Sequence, residues 1–371
     1  MFNNFQASPA SERGIPFDAA NPPRDAGISR TASDMMRSLN QSAVLEVQMS
    51  STQKKICHVL SVLFLMSWFL VLPAPAAAQE LEAAAPGFWK LVDRNAKVEK
   101  VAGDFKFVEG PVWSPEGYLL FSDIPANQII KYLPGSVPTV FREPSGNSNG
   151  LTYDRSGHLL MCEHTNRRVT RLEPDGKLMV LAESYEGKRL NSPNDIVVRS
   201  DGTIYFTDPP YGIPQGERQE LDFQGVYKIS PDGKLSLLAS DFERPNGVAL
   251  SPDERTFYVA DTARRHVRAF DVASDGSVSN GRVLAELKSD RQGGPDGMKV
   301  DRKGNLYVTG PGGLWVFDKT GQHLGTIVMS ELPANCGWGD KDFRTLYMTA
   351  RTGLYKIRLK VAGFITYPTR R

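Results

Sequence analysis

The chain has 371 residues, 40% of them hydrophobic, enough to bury a large core in one big β domain or two smaller ones. Its 44 Lys and Arg stand against 42 Asp and Glu, for a net charge of +2, and no block of like charge recurs. This excludes the electrostatic footprint of a nucleic-acid binder and leaves a small molecule as the expected partner.

Residues 1–48 are rich in Ser, Asn, Arg and Pro and show no sustained apolar period, so they read as a polar extension. Lys54 and Lys55 are followed by an apolar run from Ile56 to Leu72, then Pro73 and the small residues Ala76-Ala77-Ala78. That order is the charged region, apolar region and cleavage site of a secretory signal peptide, spanning 49–78 with cleavage after Ala78. The run is slightly long, which keeps an uncleaved anchor as the alternative. A signal peptide works from the extreme N-terminus, so translation is expected to begin at Met49 and the mature protein to be periplasmic or secreted, with no stable membrane association. Cys57 leaves with the signal. Cys162 and Cys336 fall in different repeats, are too few for a disulfide framework and are expected as buried free thiols.

Residues 79–371 are expected to form a single domain, because residues 100 to 360 repeat one pattern six times. Each copy has a polar opening, an alternating strand, a turn and a second alternating strand. The copies read EGPVWSPEGYLLFSD (109 to 123), NGLTYDRSGHLLMCE (149 to 163), NDIVVRSDGTIYFTD (194 to 208), NGVALSPDERTFYVAD (246 to 261), DGMKVDRKGNLYVTG (296 to 310) and NCGWGDKDFRTLYMTA (335 to 350). Further β-like pieces lie between copies, giving about four strands per repeat, and no helical period runs for a useful length after residue 90. The spacing predicts an all-β fold, a six-bladed β-propeller with four-stranded blades. Residues 79–100 and the C-terminus are expected to help close the ring; which end supplies the closing strand is left open.

Aligned on their turns, the copies place Glu109, Asn149, Asn194, Asn246, Asp296 and Asn335 at one position. First strands of propeller blades commonly line the channel, so six side-chain oxygens are expected around one axis. Oxygen donors without His or Cys suit Ca²⁺, with Mg²⁺, Mn²⁺ or Zn²⁺ as alternatives. Asx-Gly pairs are also strong turn signals, and the turn reading competes at Asn149, Asn246 and Asp296. Glu109 is a poor turn former, and Asn194 is followed by Asp195, which favours the axial reading. Asp123, Glu163, Asp208 and Asp261 end the second strand in four copies; they are either neighbours of the mouth or plain hairpin-end acids. His164 and Tyr211 could line the entrance or be ordinary surface and packing residues. No G-x-S-x-G or H-E-x-x-H occurs, so no Ser nucleophile is indicated.

With EGPVW, SPNDIVV, TDPPYG, RPNGVALS, YVAD and GGPDGM in order, the chain resembles the senescence marker protein, gluconolactonase and luciferin-regenerating enzyme family over about residues 100 to 358. The resemblance implies a divalent metal held by Glu109, Asn246 and Asp296, with Asn194 shared between metal and substrate. It also implies a lactone hydrolase, most similar to bacterial gluconolactonases. Some members carry an Arg that helps hold sugar hydroxyls where Ser192 stands here, so the particular lactone is left open. On this reading Asp296 is a ligand, the general base toward water, or both, and Asn194, Asn149, His164 and Tyr211 face the substrate. A metal-dependent arylesterase or phosphotriesterase, or a binding propeller with a structural metal, are the alternatives.

Overall fold

The computed structural model describes residues 81–368. The polar extension and the signal peptide lie outside them, and no described helix is long and apolar enough to cross a membrane. Six antiparallel sheets follow one another along the chain, each built as four strands numbered outward from an inner one. The inner strands are Val108–Trp113, Ser148–Tyr153, Ile196–Val198, Pro245–Leu250, Met298–Val300 and Pro333–Gly339. Each packs on the next, and the last packs on the first, so they close a ring about a central axis. The protein is a six-bladed β-propeller.

The copies fold this way because each carries two alternating strands joined at a residue that tolerates left-handed backbone. In four blades it is glycine, as at Gly117 (φ 93°); blades four and six place Glu254 and Phe343 there instead. Four inner strands are buried from end to end, and those of blades three and five at all but their middle residue, since neighbouring blades cover both faces. Aromatic and aliphatic side chains fill the wedges between blades, as where Trp113 of blade one stacks on Tyr347 of blade six with ring centroids 6.0 Å apart. Hydroxyls near the ends of second strands latch adjacent blades. Ser122 donates to Asn149 O at 2.8 Å, Thr207 to Asn246 O at 2.7 Å and Thr309 to Ala334 O at 2.8 Å.

The N-terminal side closes the ring. Glu99–Ala102 pairs antiparallel with Gly353–Arg358 as the outer strand of blade six, and Leu81–Ala83 adds a fifth strand to blade five. The C-terminal segment instead crosses one end of the channel. Phe364 N donates to Val300 O at 2.9 Å, and Phe364 to Tyr367 join Val112, Leu151, Val248 and Trp338 around a cavity of about 60 Å³. Cys162 and Cys336 are free and buried, as expected.

Candidate functional site

All six aligned residues sit on inner strands or within two residues before them; Glu109, Asn149, Asn194, Asn246 and Asn335 are buried, at 2 to 5% exposure, and Asp296 is half-buried. The turn reading of the Asx-Gly pairs fails: Asn149-Gly150 and Asn246-Gly247 are inside strands. Their glycines serve close approach between blades. A Cβ on Gly247 would lie 2.2 Å from Asp296 O, and one on Gly110, whose φ is 55°, would lie 2.1 Å from Asn149 O. Strand pairing slips at this level in four blades, between Glu109 and Val112, Ser148 and Leu151, Pro245 and Val248, and Pro333 and Asn335. Such irregularities re-aim side chains, here at the row that faces the axis.

The axial side chains are electrostatically one group. Burial drives the Asp296 carboxyl well above the ordinary range, and the charges of Glu109 and Asp195 push it further, against hydrogen bonds from Asn246 and Gly297. Burial likewise raises Glu109, with Asp195 adding repulsion. Glu109 Oε2 accepts from Gly110 N at 2.8 Å, and the Asn335 amide also donates to this carboxylate. Asn335 Oδ1 is itself occupied by Cys336 N at 2.8 Å, so Asn335 braces Glu109 and offers no free carbonyl. Asn246 donates through Nδ2 to Thr262 Oγ1 at 3.1 Å, which turns its amide oxygen the other way. Asn149 and Asn194 complete the ring. Among the described residues no three His, Cys, Asp or Glu side chains converge as a metal cluster, so an ion here would need amide oxygens as well as carboxylates.

The hairpin-end acids have another duty. Asp123 accepts from Lys106 N and Phe107 N at 3.0 and 3.1 Å, Asp208 from Asn191 N and Ser192 N at 2.7 Å each, and Asp261 from Glu243 N and Arg244 N at 2.9 and 3.1 Å. They fix the segments entering the inner strands. Glu163, one methylene longer, instead accepts from Thr170 Oγ1 at 2.6 Å and Arg168 Nε at 2.9 Å. Of the two readings of these four, the structure gives them the role of hairpin-end structural carboxylates, placed by their need to satisfy buried donors.

The loop after Asp208 overhangs the ring. Its Gly212 N donates to Ser192 Oγ at 2.9 Å, and the Tyr211 hydroxyl reaches Thr262 and the Asn246 amide, although Tyr211 as a whole is 46% exposed. Tyr211 thus lines the entrance. His164 is no surface residue: it is 5% exposed, lies under Gly212 and leaves Nε2 buried with no partner among the described residues. Burial alone lowers its pKa to about 4, so the imidazole is neutral.

Sequence reasoning passed over two charges in the channel. Asp195 is buried, accepts from Val248 N at 3.0 Å and repels both Glu109 and Asp296. Its signal was present: it stands directly after the axial residue, where four other copies carry glycine. Lys299 donates to Met298 O at 2.9 Å, borders the cavity and holds Glu109 down by its charge. Nothing in its sequence position marked it.

Comparison with known proteins agrees with this architecture. The SMP-30/Gluconolactonase/LRE-like region matches residues 107–352. A gluconolactonase of Zymomonas mobilis is 34% identical over 306 residues, covering 75% of this chain and 86% of its own. A solved structure described as a gluconolactonase of Xanthomonas campestris has 32% identity and a TM-score of 0.71, covering 77% of this chain and 96% of its own. The diisopropyl-fluorophosphatase of Loligo vulgaris is 25% identical over 230 residues, covering 56% of this chain and 73% of its own. With a matched region that spans most of the chain and all six blades, the protein belongs to the SMP-30/gluconolactonase/LRE-like family.

Proposed function

We propose that this chain is a metal-dependent lactonase that opens a sugar lactone such as gluconolactone at the axial ring. The observation that supports it best is the convergence of buried Glu109 and half-buried Asp296, whose charges repel, with amide oxygens beside them. Such a set is stable in ionised form only when a cation is shared, and its hard oxygens fit Ca²⁺ first. Glu109, Asn246 and Asp296 would hold it, with Asn194 shared toward substrate. A bound divalent ion supplies Lewis-acid polarisation of the lactone carbonyl, worth several kcal/mol of barrier.

Asp296 receives the proton of the attacking water as the water oxygen bonds to the carbonyl carbon. General-base help of this kind contributes roughly 10² to 10⁴-fold. The ring C–O bond then breaks, and the proton passes to the departing ring oxygen to give the open hydroxy acid. Asn194 and Asn149 orient the ring and its hydroxyls, and Tyr211 with its loop limits water at the entrance.

The likeness to a diisopropyl-fluorophosphatase favours a second reading, hydrolysis of an organophosphate or aryl ester at the same ring. That reading calls for an apolar mouth, whereas the half-buried Arg244 and Thr262 make this one polar. Comparing a sugar lactone, an acyl lactone, an aryl ester and a phosphotriester, each with and without a chelator, decides between them. Chelator-sensitive opening of the sugar lactone above the rest is expected; preference for the phosphotriester would reverse the assignment. The signal peptide read at residues 49–78 of the sequence supports a location outside the cytoplasm. Mass spectrometry of the mature protein should find Gln79 at its N-terminus, and peptides from residues 1–48 would refute that start.

A further inference from the structure

We propose that Arg244, set against the ring of Tyr211, recognises an anion at the mouth, and that the lactone this site takes carries a carboxylate or phosphate away from its reacting carbonyl. The proposal rests on the lactonase reading above and adds the substrate class.

Three observations support it. The first is position. The carboxylates of Asp123, Asp208 and Asp261 bind the backbone in the same way in three blades, which makes Phe107, Ser192 and Arg244 structural equivalents, each two residues before an axial side chain. Of the three, Arg244 alone brings a charged side chain to this register.

The second is the path from Arg244 to the axis. Its guanidinium carbon lies 5.7 Å from the centroid of the Tyr211 ring. The hydroxyl of that ring reaches Thr262 and Asn246, and Thr262 Oγ1 in turn donates to Pro295 O at 2.7 Å beside Asp296. Gly212, held by Ser192 Oγ, pins the loop that carries Tyr211. A ring bound over the axis is therefore flanked by an aromatic face and a cation on one side.

The third is charge. The neighbouring cations are already matched: Arg268 Nη1 is 2.9 Å from Asp241, and Arg264 Nε is 3.8 Å from Glu243 and 3.9 Å from Asp261. Arg244 is half-buried, and among the described residues no Asp or Glu oxygen lies within ion-pair distance of it. A half-buried guanidinium gains most from a carboxylate or phosphate, which it can grip through two parallel hydrogen bonds; neutral hydroxyls return less. A neutral lactone would leave that capacity unused.

The test is steady-state hydrolysis by the full chain loaded with calcium, on gluconolactone, on the monolactone of glucaric acid and on phosphogluconolactone. The wild type is expected to favour one charged lactone over gluconolactone in kcat/KM, and the favoured one tells carboxylate from phosphate. Arg244→Gln should lower that preference at least tenfold, through KM of the charged lactone rather than kcat, and Arg244→Lys should recover part of it. No preference in the wild type, or equal losses on charged and neutral lactones in Arg244→Gln, would overturn the proposal. If the wild type opens no lactone at all, the lactonase reading fails by itself, and calorimetry with glucarate and with phosphogluconate still decides on the anion site. Binding lost in Arg244→Gln supports it, and equal binding by both proteins overturns it.

Discussion

Replacing His164 with phenylalanine should remove a specific part of the acid sensitivity of this propeller. The imidazole is buried beneath Gly212 with Nε2 unpartnered, and burial is the sole cause that lowers its pKa from 6.5 to about 4. In the folded protein it stays neutral down to about pH 4, whereas in the unfolded chain it takes up a proton below about pH 6.5. The unfolded state therefore binds the extra proton in that window, so stability falls as pH drops from 6.5 toward 4 and this contribution levels off below. A difference of about 2.5 pKa units at about 1.4 kcal/mol each amounts to about 3 kcal/mol. Phenylalanine keeps the ring volume, removes the unpaired nitrogen and cannot titrate. Urea unfolding of both proteins in chelator, at pH 7 and at pH 4, measures the effect. Relative to the variant, the wild type should lose about 3 kcal/mol between those pH values. A difference that stays constant with pH would refute the reasoning and place a hydrogen-bond partner on Nε2.

Glu109→Gln and Asp296→Asn should each abolish lactone turnover and the thermal stabilisation produced by calcium. At pH 8 in chelator both should be more stable than the wild type, because each removes one of two desolvated charges that repel each other; scanning calorimetry reads both effects, and lower stability in chelator would contradict the electrostatic account. Gly110→Ala forces a side chain into left-handed backbone and onto Asn149 O, so a loss on the order of 2 kcal/mol or more is expected by denaturant unfolding, and a neutral result would mean that the inner strands can separate.

The blades were legible in the sequence because each repeats the same alternation and turn, and the axial row was legible because six oxygen-bearing residues share one register. The closing strand was not, since Glu99–Ala102 has only an edge to complete and carries none of the repeated signals. The Asx-Gly pairs show how one dipeptide serves two physical ends: glycine that would permit a turn in an isolated hairpin here lets the backbones of neighbouring blades approach closely around an axis. Asp123, Asp208 and Asp261 looked like a second row at the mouth because their sequence position is right. Their direction was set by backbone N–H groups, which a sequence does not display. Arg244 and Lys299 were hidden for a similar reason, as their roles depend on which loop or channel they meet rather than on spacing.

The most direct measurement is proton release from gluconolactone by the full chain, first stripped with chelator and then given calcium in excess. Hydrolysis above the spontaneous rate should vanish on stripping, return with calcium and remain absent in Asp296→Asn under the same conditions. Undiminished hydrolysis in chelator, or none with calcium, magnesium or manganese, would contradict a metal-dependent lactonase at the axial ring.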